Sequence, residues 1–229
     1  MKKMNTDSNV YTIVYAAVMV VIVAVLLAVV NQALASRQAA NVKLDTQKQM
    51  LVALNQDLKG CNDPAALYES LVRDTLAMDK ENKKADVILF EVNGEPKFVY
   101  RLHGAGLWGG IGGYLALNDD KNTIFGINFN HESETPGLGA LIVEKPFREQ
   151  FFGKKIRNAE GEIVSVAVLK KGNFAEGQEQ VDAVSGATIT STGVNDMLKA
   201  NLVEYATYLT VENNTNQTVE NDTNDNMEE

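Results

Sequence analysis

The sequence predicts an α+β protein, with a single membrane-crossing helix at the N-terminus followed by an antiparallel-sheet domain with flanking helices. Three observations carry this. Val10 to Val30 runs for 21 residues without a charge, about the length a helix needs to cross a bilayer. From Asp86 onward, short runs rich in Val, Ile, Phe and Tyr are separated by Asn, Gly and Asp turns, the pattern of successive strands. Near the end, Val194, Met197, Leu198, Leu202, Tyr205, Ala206 and Leu209 recur at spacings of three and four, which marks a helix with one buried face. Strands in succession closed by a terminal helix define the α+β class.

The chain of 229 residues has room for one good domain plus extras. A net charge of −9 argues against nucleic-acid binding, which needs basic patches. One cysteine and two histidines leave no intrachain disulfide, all-cysteine cluster or His-rich metal site.

In chain order, residues 1–9 form a short N-terminus and 10–35 the anchor. Lys2 and Lys3 precede the apolar run, and the positive-inside rule puts the N-terminus in the cytoplasm and the remainder outside. Lys43 and Lys48 on the outer flank weaken that charge argument slightly. Ala33-Leu34-Ala35 resembles a signal-peptidase site, but the apolar run exceeds the usual signal core, which favours a retained anchor. Either reading exports the rest of the chain. Residues 36–84 read as a helical stalk or helix pair. The first helix runs to about Leu58 and stops at Lys59-Gly60-Cys61-Asn62-Asp63-Pro64. Asp63 and Pro64 then cap and open a second, running through Leu67, Leu71, Leu76 and Met78. Lys80 to Lys84 reads as a solvated turn.

The core domain is placed at 85–210. Val87–Val92 and Lys97–Leu102 read as strands joined at Asn93-Gly94, a strong hairpin signal. Tyr114–Leu117 and Thr123–Phe129 repeat the pattern; Glu144–Phe152 looks helical, and Glu162–Leu169 reads as another strand. Residues 211–229 carry six acidic residues, no Lys or Arg, and almost no large apolar side chain, a composition that cannot bury enough surface to fold.

Three stretches carry candidate chemistry. Ser185-Gly186-Ala187-Thr188 gives four small residues, and five hydroxyls fall between Ser185 and Thr192 at the start of the terminal helix. A helix N-terminus has unpaired N–H groups and favours a phosphate; the plainer reading is a Ser/Thr cap with Thr190, Ser191 or Thr192 at the N-cap and nothing bound. Gly104-Ala105-Gly106-Leu107-Trp108-Gly109 fits G-x-G-x-x-G, yet Gly110, Gly112 and Gly113 follow at once, which excludes the helix that a dinucleotide turn requires. A glycine-rich loop presenting Trp108 as a stacking face, or Trp108 as a core residue, are the two readings left. Glu134-Thr135-Pro136-Gly137-Leu138-Gly139 follows a strand and is too rich in Pro and Gly to be regular.

Asp182-x-x-Ser185-Gly186-Ala187-Thr188-x-Thr190 resembles the flavinylation motif of the FMN-binding domains of the sodium-pumping NADH:quinone oxidoreductase (Nqr) and Rnf complexes. In that family the last threonine of the S-G-A-T run carries FMN through a phosphoester set by a flavin transferase from FAD. The resemblance makes Thr188 the acceptor and places Ser185, Gly186, Ala187 and Thr190 beside it. The E-T-P-G-L-G loop lines the flavin site in the family, which implies roles for Glu134, Thr135, Gly137 and Leu138, with Trp108 offering the stacking face. The likeness spans about 98–210, and the Gly106-Leu107-Trp108 element and single anchor look more like the C subunit of Nqr than the G subunit of Rnf. The two residues Glu132-Ser133 depart from the expected spacing, which leaves His131 without an assigned role.

The resemblance implies an electron-carrying subunit of a NADH:quinone reductase complex in the bacterial inner membrane, with covalent FMN on the outer face. Its partners are the other subunits and the transferase, and it has no catalytic residue, metal or NADH site of its own. The competing readings are the Rnf G subunit with the same covalent FMN, and a membrane-anchored binding protein without a cofactor.

Overall fold

The computed structural model describes residues 9–77 and 86–210. It divides into two compact units, 1–47 and 48–229. The described part of the first lies within α1 (Asn9–Ala53), 45 residues of unbroken helix, whose N-terminal part is long and apolar enough to cross a membrane. The expected charged termini and tail at 1–8 and 211–229, and the turn at Lys80 to Lys84, fall outside the described residues.

The second unit is built on five antiparallel strands in the order in which they occur: β1 (Val72–Ala77), β2 (Asp86–Val92), β3 (Glu95–Ala105), β4 (Gly110–Leu117) and β5 (Ile124–His131). Asn93 and Gly94 both take positive φ, 55° and 80°, the mirror-image turn that matches the twist of a hairpin. Alternation along β3 and β4 sends side chains to two buried faces. Val99, Tyr114 and Ala116 join Phe90, Met50 and Leu54 on one. Tyr100, Leu102, Leu115 and Leu117 meet Phe151, Met197 and Leu202 on the other. The end of α1 and α2 (Pro64–Leu71) cover the first face; α4 (Thr188–Glu204), α5 (Ala206–Thr210) and a short helical run around α3 (Lys145–Arg148) cover the second. The antiparallel α+β architecture is as the sequence predicts.

Several elements differ from expectation. The first helix ends at Ala53, not near Leu58. Asn55 takes φ 56°, Gln56 N–H donates to Leu51 O at 2.9 Å and Asn55 N–H to Val52 O at 3.1 Å. This is a left-handed C-terminal cap in which Asn does the work usually given to Gly. The second helix opens as read, with the Asp63 carboxylate accepting from Ala66 N–H, but stops at Leu71. Val72 then turns to extended backbone, and Leu76 falls in β1, paired with Val87; pairing along β2 overrides weak helical spacing. The sheet therefore begins before residue 85, and the compact unit begins at Lys48.

The glycine-rich stretch is mostly strand. Gly104 pairs with Ile111 and Ala105 with Gly110, which leaves only 106–109 as the tip of a β3–β4 hairpin. Glu144–Phe152 is a four-residue helix followed by a 3-10 turn (Glu149–Phe151). The strand expected over Glu162–Leu169 shrinks to β6 (Ala167–Leu169), because Ser165 takes φ 71° and breaks the run. β6 pairs in parallel with β7 (Gln180–Asp182), a contact no local pattern announces.

β3 outruns β2. Their pairing stops at Val99 with Ile88, so the backbone of Arg101 and His103 is left without a strand on that side. α4 supplies the partners: Asn201 Oδ1 accepts from His103 N–H at 3.1 Å while Asn201 Nδ2 donates to His103 O at 2.9 Å, and the hydroxyl of Tyr205 donates to Arg101 O at 3.0 Å. Buried backbone groups need such partners. The helix can lie this close because residue 193 is glycine; any side chain there would run into Ala105 O.

Candidate flavin site

Docking α4 along β3 brings its N-terminus to the end of the sheet where the 106–109 tip and the loop after β5 also lie. Glu134 links the three. Its side chain is 4% exposed. One carboxylate oxygen accepts from the backbone N–H of Trp108 at 2.9 Å and the other from the hydroxyl of Thr190 at 2.6 Å. Burial pushes this carboxyl up, but the Thr190 hydroxyl, the backbone N–H groups of Trp108 and Leu107 and the nearby His131 together hold it below its ordinary value. The group is a carboxylate, buried and satisfied by charge-assisted bonds.

The loop is laced to the tip by residues to which the sequence assigns no role. Glu132 Oε2 accepts from Gly110 N–H at 3.0 Å, and the Ser133 hydroxyl donates to Trp108 O at 2.9 Å. His131 Nδ1 accepts from Glu134 N–H at 3.3 Å, which turns the chain out of β5. The unexpected spacing at Glu132-Ser133 is therefore filled by two side chains that fix the tip. Their polar character next to a strand end was the available signal. Thr135 is exposed, and its carbonyl closes the next turn by accepting from Leu138 and Ala140 N–H. Gly137 takes φ 76°.

The helix start differs from the Ser/Thr cap that the sequence allowed. The N-cap is Ala187, and no side chain caps the helix. Thr190 and Ser191 lie inside the first turn at 1% and 2% exposure. Thr190 donates to Glu134, and the Ser191 hydroxyl accepts from Val184 N–H at 3.1 Å. Ser185, Gly186, Thr188 and Thr192 are exposed, whereas Ala187 is buried. Gly186 takes φ 77° and sits so close to Leu138 that a Cβ would press on its side chain. Large apolar side chains stand in the open on all three elements: Leu107 and Trp108 on the tip, Leu138 and Leu141 on the loop, Ile189 on the helix. Trp108, at 66% exposed, is presented rather than buried. The predicted site residues thus separate into a surface set (Trp108, Thr135, Gly137, Leu138, Ser185, Gly186, Thr188) and an interior set (Glu134, Ala187, Thr190).

An exposed hydroxyl at an uncapped helix start, beside an exposed indole and leucines, is a surface suited to a phosphate-bearing aromatic cofactor. Residues 106–203 match the FMN-binding domain family, and the fold and site define a flavin-binding domain of that class. The chain is 38% identical to the crystallised C subunit of the Na(+)-translocating NADH-quinone reductase of Parabacteroides distasonis, with a TM-score of 0.73 over 79% of this chain and 98% of that one. It is 33% identical over 147 residues to the same subunit of Pseudomonas aeruginosa and 35% identical over 149 residues to that of Haemophilus ducreyi. The matches span 62% and 63% of this chain but only 56% and 57% of those relatives, little more than half their length. The chain belongs to the family of C subunits of the Na(+)-translocating NADH-quinone reductase. With the apolar part of α1, it is a membrane-anchored member.

Proposed function

We propose that this chain carries FMN as a phosphoester on Thr188 and passes electrons within a sodium-translocating NADH:quinone reductase complex. The observation that carries the reading is the helix start itself: Thr188 is exposed at its first position, and no side chain occupies the cap. A cap-only role for the hydroxyl-rich run is thereby removed. In the modification the Thr188 oxygen bonds to the phosphorus on the riboflavin side of FAD, the pyrophosphate bond breaks, and AMP leaves. The hydroxyl proton passes to a base of the transferase, because the stretch from Ser185 to Thr192 carries no ionisable side chain and a threonine hydroxyl needs activation.

The residues present fit the group. Open N–H groups at the start of α4 favour the phosphate, Trp108 and Leu138 offer apolar faces to a ring, and Thr135 brings a hydroxyl. FMN would supply one- and two-electron chemistry; the protein positions it and shields it from water. Thr188 anchors the phosphate, Leu107, Leu138, Leu141 and Ile189 limit solvent access, and Glu134 holds the tip and helix together from beneath. The anchor and the positive-inside charge support an extracytoplasmic domain, where a covalent tether keeps FMN from being lost. The other subunits of the complex are its electron partners.

The test is Thr188→Ala in the full chain, co-expressed with a flavin transferase. An exposed, non-capping threonine costs within about 0.5 kcal/mol to truncate, so the variant should fold and insert while the flavin mass and the in-gel fluorescence disappear. Fluorescence surviving denaturing electrophoresis would move the acceptor elsewhere.

A further inference from the structure

Glu134 belongs to the loop implied to line the flavin, yet both of its carboxylate oxygens are occupied by groups of this chain. Its seat is built to size. A Cβ at Gly106 would strike one oxygen, and a Cβ at Gly139 would strike the other and crowd Thr190 Oγ1. Two glycines on different elements thus make room for one buried carboxylate. That carboxylate holds nothing on the surface; it ties the backbone of the Trp108 tip to the side chain of Thr190, in the first turn of α4. We infer that Glu134 is a positioning residue that locks the indole-bearing tip and the acceptor helix start into one frame, so that Thr188 meets the transferase, and later the flavin ring meets Trp108, in a fixed geometry. This rests on Thr188 being the acceptor.

The two halves of the lock can be released separately. Thr190→Val keeps the volume and removes only the donor to Oε2, which frees the helix start and leaves the tip attached. Glu134→Ala frees both. Glu134→Gln keeps an oxygen for the tip amides and an N–H₂ that can donate to Thr190 Oγ1, so it should preserve the frame.

The measurements use the full chain from membranes, made with and without a flavin transferase. Trp108 is the only tryptophan, so its emission in the unmodified protein reports the tip without any flavin. Flavin incorporation at limiting transferase, read by intact mass, reports the helix start. Misplacement of a reacting group by about 1 Å can cost on the order of 100-fold in rate. Glu134→Ala should therefore lower the incorporation rate at least ~10-fold and raise Trp108 mobility in fluorescence anisotropy. Thr190→Val should slow incorporation with unchanged anisotropy, and Glu134→Gln should resemble the wild type in both. A core variant on the opposite face of the sheet, Phe90→Leu, controls for destabilisation alone and should change neither.

Wild-type anisotropy and incorporation in Glu134→Ala would overturn the inference. Should Glu134→Ala not fold, wild-type incorporation in Thr190→Val would overturn it. If instead Thr188→Ala retains flavin, the acceptor reading fails, while the anisotropy of the unmodified variants still decides the lock.

Discussion

Thr188 and Thr190 stand two residues apart on one helix and have opposite fates. Thr188 is exposed and does not cap, whereas Thr190 is 1% exposed and spends its hydroxyl on Glu134. Sequence likeness places both beside the phosphate; the helical period places one outward and the other inward. Thr190 is thereby a poor alternative acceptor, since a transferase would have to open the first turn to reach it. The carboxylate it serves has its own signature in pH. Hydrogen bonds overcome burial and lower the Glu134 carboxyl below its ordinary value. A lowered native pKa adds stability that is fully present above the unfolded value, ~4.3 for Glu, and is lost as pH falls through the native one. The stability difference between wild type and Glu134→Gln should be flat from neutral pH to about 5 and shrink only below ~4.3. Urea unfolding of the two proteins across that range measures it; a difference that grows on acidification would mean that the charged form is not the favoured one.

At the scale of elements, legibility tracked how local the signal was. The Asn93-Gly94 hairpin, the Asp63-Pro64 helix start and the apolar face of the terminal helix depend on neighbours within a few residues; each appears where the sequence places it, except that the terminal helix breaks at Tyr205 and resumes as α5. β1, β7 and the end of α1 depend on partners far along the chain: Phe90 for Val72, Leu169 for Asp182, and Phe125 O for the Asn55 side chain. No periodicity encodes those. The site divides in the same way. The surface hydroxyls and the tryptophan were legible as motifs, but the inward role of Glu134 and Thr190 and the bonds of Glu132 and Ser133 required three elements to converge. Asn201 is the clearest case of an element held by one distant side chain, since it pairs with both backbone groups of His103 and also donates to Met197 O. Asn201→Leu keeps a similar bulk but takes their partners from the half-buried His103 N–H and C=O, at about 1–2 kcal/mol for each such group. A loss of about 2–4 kcal/mol should lower the melting temperature by several degrees for a unit of this size. It should also loosen the flavin site, because α4 carries Thr188 at its other end. A melting curve unchanged within about 0.5 kcal/mol would show that water replaces Asn201 at no cost.

At the scale of the whole molecule, the question is what the long apolar helix does for the flavin domain. α1 runs unbroken from Asn9 to Ala53. Its apolar part shows Val10, Ile13, Val20, Leu27 and Val30 to the outside, a surface that only lipid or other membrane helices would cover favourably. The uncharged run of 21 residues is long enough to span a bilayer, and Ala33-Leu34-Ala35 lies within the helix. The 21-residue run is also longer than the roughly 7–15 apolar residues of a signal-peptide core. The anchor should therefore survive export. Mass spectrometry of the protein extracted from membranes should find the N-terminal peptide intact, and alkaline washing should not release the chain. Recovery of a flavin-bearing chain beginning at Ser36 in the soluble extracytoplasmic fraction would show instead that the apolar run is a signal removed on export.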